Sequence, residues 1–320
     1  MIVKFLQNTF WLMMLLAILS IMAIAQNEEQ KIRVETNLVS VNVLITDKNG
    51  KFVKGLEREA FEVYDNNVKQ QIEHFSDQNK PVSFGVVYDM HPTTGEMTKA
   101  VIESLRQFSK ELRTDDDIFM MAFNMNGMQK FDFIPTVEQL DKFMLRPEKR
   151  EPNSLYDTVF TMADKMRTRR NLKQTILIIS DSKDHMSRHN FSELRRKLKS
   201  FDIEIYAVIL DDDKWDYRDI RHGDKMPKVF TDANRLDRAA IQELALKTGG
   251  TYFSGSQNTL QLYSIYKQIT DEMNNHYTLG FYPDMIDGKQ HSLRIRLRNL
   301  KQKDSKYFVL TYRQEYLIQK

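Results

Sequence analysis

Apolar runs that alternate with amphipathic segments constrain this chain more than any other feature. Val82–Tyr88 is apolar apart from Ser83, and Thr175–Ile179 has the same character. A strand apolar on both faces must be covered on both faces, which a parallel sheet between helices provides. Ile203–Ile209, Ile118–Phe123, Met128–Ile134 and Thr251–Phe253 read as further strands. Helical spacing lies between them: Val101, Leu105, Phe108 and Leu112 share one face, as do Leu155, Val159, Met162, Ala163 and Met166. Asn190 can cap a helix carrying Phe191, Leu194, Leu198 and Phe201. A helix from about Asp237 meets a stop at Gly249-Gly250, and Leu262, Ile265, Tyr266, Ile269 and Met273 line another. The expected class is α/β, a doubly wound and mostly parallel sheet over residues 81–275.

Both ends of the pattern are β. Val39, Val41, Val43 and Ile45 alternate with Ser40, Asn42, Leu44 and Thr46, and Asp47-Lys48-Asn49-Gly50 then signals a hairpin. Phe61–Tyr64, the turn Asp65-Asn66-Asn67 and the run to Phe75 read as a second hairpin. After His276 the chain returns to strands. Leu293, Ile295 and Leu297 alternate with Arg294, Arg296 and Arg298, and Tyr307–Tyr312 follows. Neither 26–80 nor 276–320 is large enough to bury its own core, so the two segments are expected to form one small β subdomain together.

Lys4, the apolar stretch Phe10–Leu19 and the small residues of Ala23-Ile24-Ala25 have the order of a secretory signal peptide, residues 1–25. The apolar stretch is short for a bilayer core that needs roughly 20 residues, so a membrane would be met only through an uncleaved leader. The expected location is exported: periplasm, outer surface or medium. There is no cysteine, which excludes disulfides, thiolate metal sites and cysteine nucleophiles. A formal charge of +3 from 47 basic and 44 acidic residues argues against a dedicated nucleic-acid binder.

In an open α/β sheet, ligands bind at the carboxyl ends of the strands. Asp89 ends the first buried strand and Asp181 ends the central one, within Ser180-Asp181-Ser182-Lys183-Asp184. Two carboxylates at corresponding strand ends point to a shared site.

Five segments then resemble one family, the von Willebrand factor type A-like domain in its secreted bacterial variety. Val41–Tyr64 is similar to its leading β segment, and Asn153-Ser154-Leu155-Tyr156-Asp157 to the loop before its third helix. Ser180–Asp184 resembles its S-D-G-x-D turn. Leu246–Phe253 resembles its T-G-G segment, and Tyr277–Pro283 its closing Y-x-L-G-Y-x-P. The resemblance implies a divalent cation, magnesium or another, at the top of the sheet. Asp89, Thr93 and Asp181 fit that pattern. His91 replaces a serine, and Asn153 stands where a threonine belongs, with Ser154 beside it. Magnesium takes oxygen ligands, whereas imidazole favours zinc, copper or nickel, so the site is degenerate and the domain can also be metal-free. A transition-metal reading would join His91 to Asp184, His185 and His189.

The chain has no G-x-S-x-G or H-E-x-x-H motif and no Gly-rich phosphate loop. The leading expectation is a non-enzymatic binding module for a protein or cell-surface ligand. Met90, Pro92, Thr94, Ser182, Asp184 and His185 would supply the contacts around the candidate metal residues. The alternatives are a metal-assisted hydrolase on Asp89 and Asp181, with His91 or His185 as base, and a purely structural envelope protein.

Overall fold

The computed structural model describes residues 38–77, 80–90, 95–124, 127–144, 154–169, 171, 173–184, 187–210, 232–254, 258–298 and 308–318. Six strands make the central sheet: β5 (Val82–Asp89), β6 (Asp117–Asn124), β7 (Gly127–Phe131), β8 (Lys173–Ser180), β9 (Ile203–Ile209) and β10 (Tyr252–Ser254). Their order is β10-β9-β8-β5-β6-β7, parallel except for the antiparallel edge strand β7. Every residue of β5 and of β9 is buried, as expected for strands covered on both faces.

Alternating side chains of these strands feed two cores. Phe84, Val86 and Tyr88 meet helix α1 (Gly95–Ser109), helix α2 (Val137–Met144) through Leu140, and helix α6 (Thr259–Met273). On the opposite face, Val87, Ile176, Ile178 and Ile205 meet α3 (Leu155–Met166), α4 (Phe191–Lys199) and α5 (Asp232–Thr248). Fully burying such a side chain stabilises by roughly 1.5–3 kcal/mol, which makes these two layers the main source of stability. The architecture is a doubly wound, mostly parallel α/β sheet of Rossmann-like topology. Helix α2 was not apparent in the sequence pattern.

Two antiparallel sheets accompany the central one. The first has the order β13-β1-β11-β4, formed by β1 (Val39–Thr46), β4 (His74–Ser76), β11 (Tyr277–Phe281) and β13 (Val309–Tyr312). The second has the order β14-β12-β2-β3, formed by β2 (Phe61–Asp65), β3 (Val68–Gln70), β12 (Gln290–Leu297) and β14 (Glu315–Leu317). Val41, Val43 and Ile45 of one sheet pack with Phe61, Val63, Leu293 and Ile295 of the other. Phe61, Phe75 and Tyr277 cluster there, with ring centroids 5.1–6.1 Å apart.

The first expected hairpin is corrected, and the second in its far arm. The turn at Asp47–Gly50 forms, with Asp47 Oδ1 accepting from the amides of Asn49 and Lys51, but only the single bridge Thr46↔Phe52 follows it. β1 instead takes its partners from the far end of the chain, β11 and β13. The second hairpin does form at Asn66-Asn67, whose φ angles of 47° and 68° suit a tight turn. Its expected arm to Phe75 is split, because β4 leaves to pair with β11 in the other sheet.

Candidate functional site

The carboxyl edge of the parallel sheet brings the two expected carboxylates to one rim. β5 and β8 are neighbours, with Tyr88 opposite Ile179, so Asp89 and Ser180 come at the next rung. Asp89 is 1% exposed and its Oδ2 accepts the Ser180 hydroxyl at 2.7 Å. The same hydroxyl accepts the Ser182 amide at 3.0 Å. Asp181 follows Ser180 directly. Its Oδ1 accepts the Lys183 amide at 3.0 Å, and its Oδ2 faces the Lys183 ammonium at 3.0 Å. Ser182 is buried, adopts φ +68°, and turns its hydroxyl to the carbonyl of Asp181. Met90 is buried and extends the rim toward β6 through its amide on the Phe123 carbonyl.

The loop after β8 is fastened to the first turn of α3. Helix N-termini carry amides with no partner inside the helix. Here the Asp184 carboxylate accepts the Tyr156 amide at 3.1 Å and the Ser187 hydroxyl at 2.7 Å. The Ser187 oxygen in turn accepts the Asp157 amide. Asp157 closes the circle from the helix side. Its carboxylate accepts the amides of Arg188 and His189 at 3.0 Å and the His189 Nδ1–H at 2.7 Å. Burial pushes the Asp157 carboxyl upward, but these amides and the imidazole outweigh it and hold the group below its usual value. The His189 ring stacks on Phe160 at 3.8 Å. Ser154 is buried at the N-cap of α3, where its carbonyl accepts the Thr158 amide and hydroxyl.

Of the residues singled out from sequence, Asp89, Met90, Ser154, Asp181, Ser182 and Asp184 are placed along this rim and loop. His91, Pro92, Thr93, Thr94, Asn153 and His185 lie outside the described residues, as does the leader. His189 is engaged by Asp157 rather than turned to Asp184. Asp157, Ser180, Ser187 and Lys183 carry the geometry but were not assigned roles. A carboxylate in the first turn of a helix is the signal that could have marked Asp157.

Among the described residues, the candidate cation-binding oxygens already have partners within the protein. Both oxygens of Asp181 are held by Lys183, Asp89 Oδ2 accepts from Ser180, and the Ser182 hydroxyl is spent on the main chain. Among the described residues no group of three or more His, Asp or Glu could hold a metal ion. Ser180 and Lys183 stand at S-x-x-K spacing, and each side chain has another partner. The hydroxyl donates to Asp89 and the ammonium pairs with Asp181. No helix among the described residues is long and apolar enough to cross a membrane.

No family model matches the chain, and no curated protein matches it. Similar solved structures include proximal thread matrix protein 1 from the mussel byssus, at 10% identity and TM-score 0.41, covering 61% of this chain and 49% of that one. The chain therefore spans about half the length of that protein. Another is an aerotolerance-related membrane protein from Bacteroides fragilis, at 16% identity and TM-score 0.37, covering 60% of this chain and 98% of that one. BatB from Bacteroides thetaiotaomicron is similar at 13% identity and TM-score 0.37, with the same coverage.

Proposed function

We propose that this chain is an exported, non-enzymatic binding module of the von Willebrand factor A-like kind. It would engage a protein or cell-surface ligand at the carboxyl edge of its parallel sheet, through a degenerate adhesion site that needs no metal ion. The observation that carries this reading is the bridge from Ser180 to Asp89 at 2.7 Å, with Asp181 and its bound Lys183 as the next elements of the same rim. Preorganised polar groups on rigid strand ends favour recognition, because little ordering entropy is lost on binding. Lys183 is 41% exposed at its side chain, so its ammonium supplies at the rim the positive charge that a cation would otherwise bring.

Non-enzymatic use is supported by how the acidic groups are employed. Asp89, Asp157 and Asp184 each accept hydrogen bonds that fix a loop. Export is the reading that the signal-peptide-like order of Lys4, Phe10–Leu19 and Ala23-Ile24-Ala25 supports.

The test is capture from cell-envelope extract on the immobilised protein, run in magnesium and again in a chelator. A partner held equally in both conditions, and lost with Lys183→Gln or Asp181→Asn, is the expected result. Equal capture by those variants would refute the rim as the contact face, and chelator-sensitive capture would refute metal independence. Metal-dependent turnover of a generic ester or phosphoester would instead favour a hydrolase.

A further inference from the structure

Strand β12 presents arginine at alternate positions. Leu293 and Ile295 point into the sandwich core, so Arg294 and Arg296 point away from it, and Arg298 continues the row just past the strand end. The register places Tyr64 opposite Arg294, Glu62 opposite Arg296, and Lys69 opposite Tyr64, all on this outer face. Glu62 is already satisfied. It accepts from the Lys69 ammonium at 2.7 Å and from the Tyr64 hydroxyl at 3.0 Å. Arg294 and Arg296 turn instead over the Tyr64 ring, with guanidinium carbons 4.9 and 5.4 Å from its centroid. Among the described residues, none of the three arginines forms an ion pair. Glu315, opposite Ser292 on the same face, is taken by Arg195 and Lys199, so the face holds Lys69 and three arginines against carboxylates that are already occupied, in a chain whose whole formal charge is +3.

We infer that this face docks an extended acidic segment of a partner protein. Alternate residues of a strand repeat every ~6.6–6.8 Å. An extended peptide with carboxylates at alternate positions repeats at the same pitch, so each guanidinium can fork onto one carboxylate. β12 lies between β14 and β2, so a partner cannot add to it as a strand and must be read through side chains. Tyr64 is covered by two guanidinium groups, which removes the bare aromatic surface that a single-stranded nucleic acid would stack upon.

The experiment is fluorescence anisotropy of a labelled peptide of alternating Glu and Thr, titrated with the full chain. Saturable binding that weakens with added salt is expected. Combined Arg294→Gln, Arg296→Gln and Arg298→Gln should weaken it by about tenfold or more. Lys99→Gln on α1 should not change it. The single variant Arg298→Gln, past the strand end, guards against loss of folding and should still weaken binding. No binding, equal binding by the combined and single variants, or displacement of the peptide by less thymidine oligonucleotide or heparin than unlabelled peptide would overturn the inference.

Discussion

Nδ1 of His276 lies 3.5 Å from Oε1 of Glu204, and both side chains are buried where β1 and β11 approach the amino-terminal edge of the parallel sheet. Asn42 of β1 donates to the same Glu204 oxygen at 2.9 Å, and Thr278 of β11 donates to Asn42. The buried Lys173 ammonium donates to the Met273 carbonyl nearby. Neither ring nitrogen of His276 has a hydrogen-bond partner among the described residues.

This seam should make stability depend on pH from both sides. Burial, with the charges of Asp202 and Glu272, pushes the Glu204 carboxyl up from 4.5 to about 7, against the pull of Lys173 and Asn42. A raised carboxyl contributes stability that is full below 4.5 and is lost as pH rises through about 7. Burial, then the Lys173 charge, holds His276 well below 6.5, so its contribution is present above 6.5 and lost as pH falls. Glu204→Gln should flatten the alkaline side and stabilise the protein above pH 7 by on the order of 2 kcal/mol. Urea unfolding across pH measures this. An unchanged profile would contradict it.

Asp65, His291 and Tyr316 form a second buried cluster, in the sandwich. His291 Nδ1 lies 2.8 Å from Asp65 Oδ2, its Nε2 lies 3.2 Å from Asp287, and the Tyr316 hydroxyl donates to Asp65 at 3.0 Å. Burial lowers the His291 value, but Asp65 and Asp287 outweigh it and raise it above 6.5. Its contribution is therefore full below 6.5 and fades as pH rises through the raised value. Asp65→Asn leaves that imidazole buried without its main counter-charge and should cost about 3–5 kcal/mol. Tyr316→Phe should cost only about 1 kcal/mol. Denaturant melts of the two variants give the ranking.

Gly249 and Gly250 serve different ends in the stop after α5. Gly249 adopts φ +91°, whereas a Cβ on Gly250 would sit 2.0 Å from the Ile205 carbonyl oxygen, a main-chain atom of β9. Gly250→Ala should thus destabilise by roughly 2–4 kcal/mol through forced backbone movement. Gly95→Ala, in α1 with open space around it, should be neutral or slightly stabilising. Thermal melts of the pair separate close approach from a general glycine effect.

Asp157→Ala should free the loop after β8 without unfolding the sheet. Three hydrogen bonds to Arg188 and His189 are lost, and about 1–3 kcal/mol is expected. Faster amide exchange at Ser187, Arg188 and His189, with β8 still protected, is the readout. The lowered Asp157 carboxyl implies stability present above 3.8 and lost as pH falls through its lower folded value.

The parallel sheet and its helices were legible because burial on both faces leaves a mark in consecutive residues. Val82–Tyr88 could hardly be anything but a covered strand, and the helical stripes at Leu155–Met166 supplied the cover. Asp89 and Asp181 were legible as strand-end carboxylates for the same reason. Their use was not. Whether Asp181 meets a cation or the ammonium of Lys183 depends on where one side chain swings, and no periodicity records that.

Local pattern alone thus determined strand and helix identity, the parallel core and the residues that end its strands. These follow from which side chains must avoid water. Tertiary structure alone decided that β1 pairs with β11 rather than with its own hairpin arm, and that Asp157 holds His189. It also decided that Arg294 and Arg296 share Tyr64 while Glu62 serves Lys69. Pairings between distant segments depend on competition among many similar partners. The sequence carries that competition only as a sum over the whole fold.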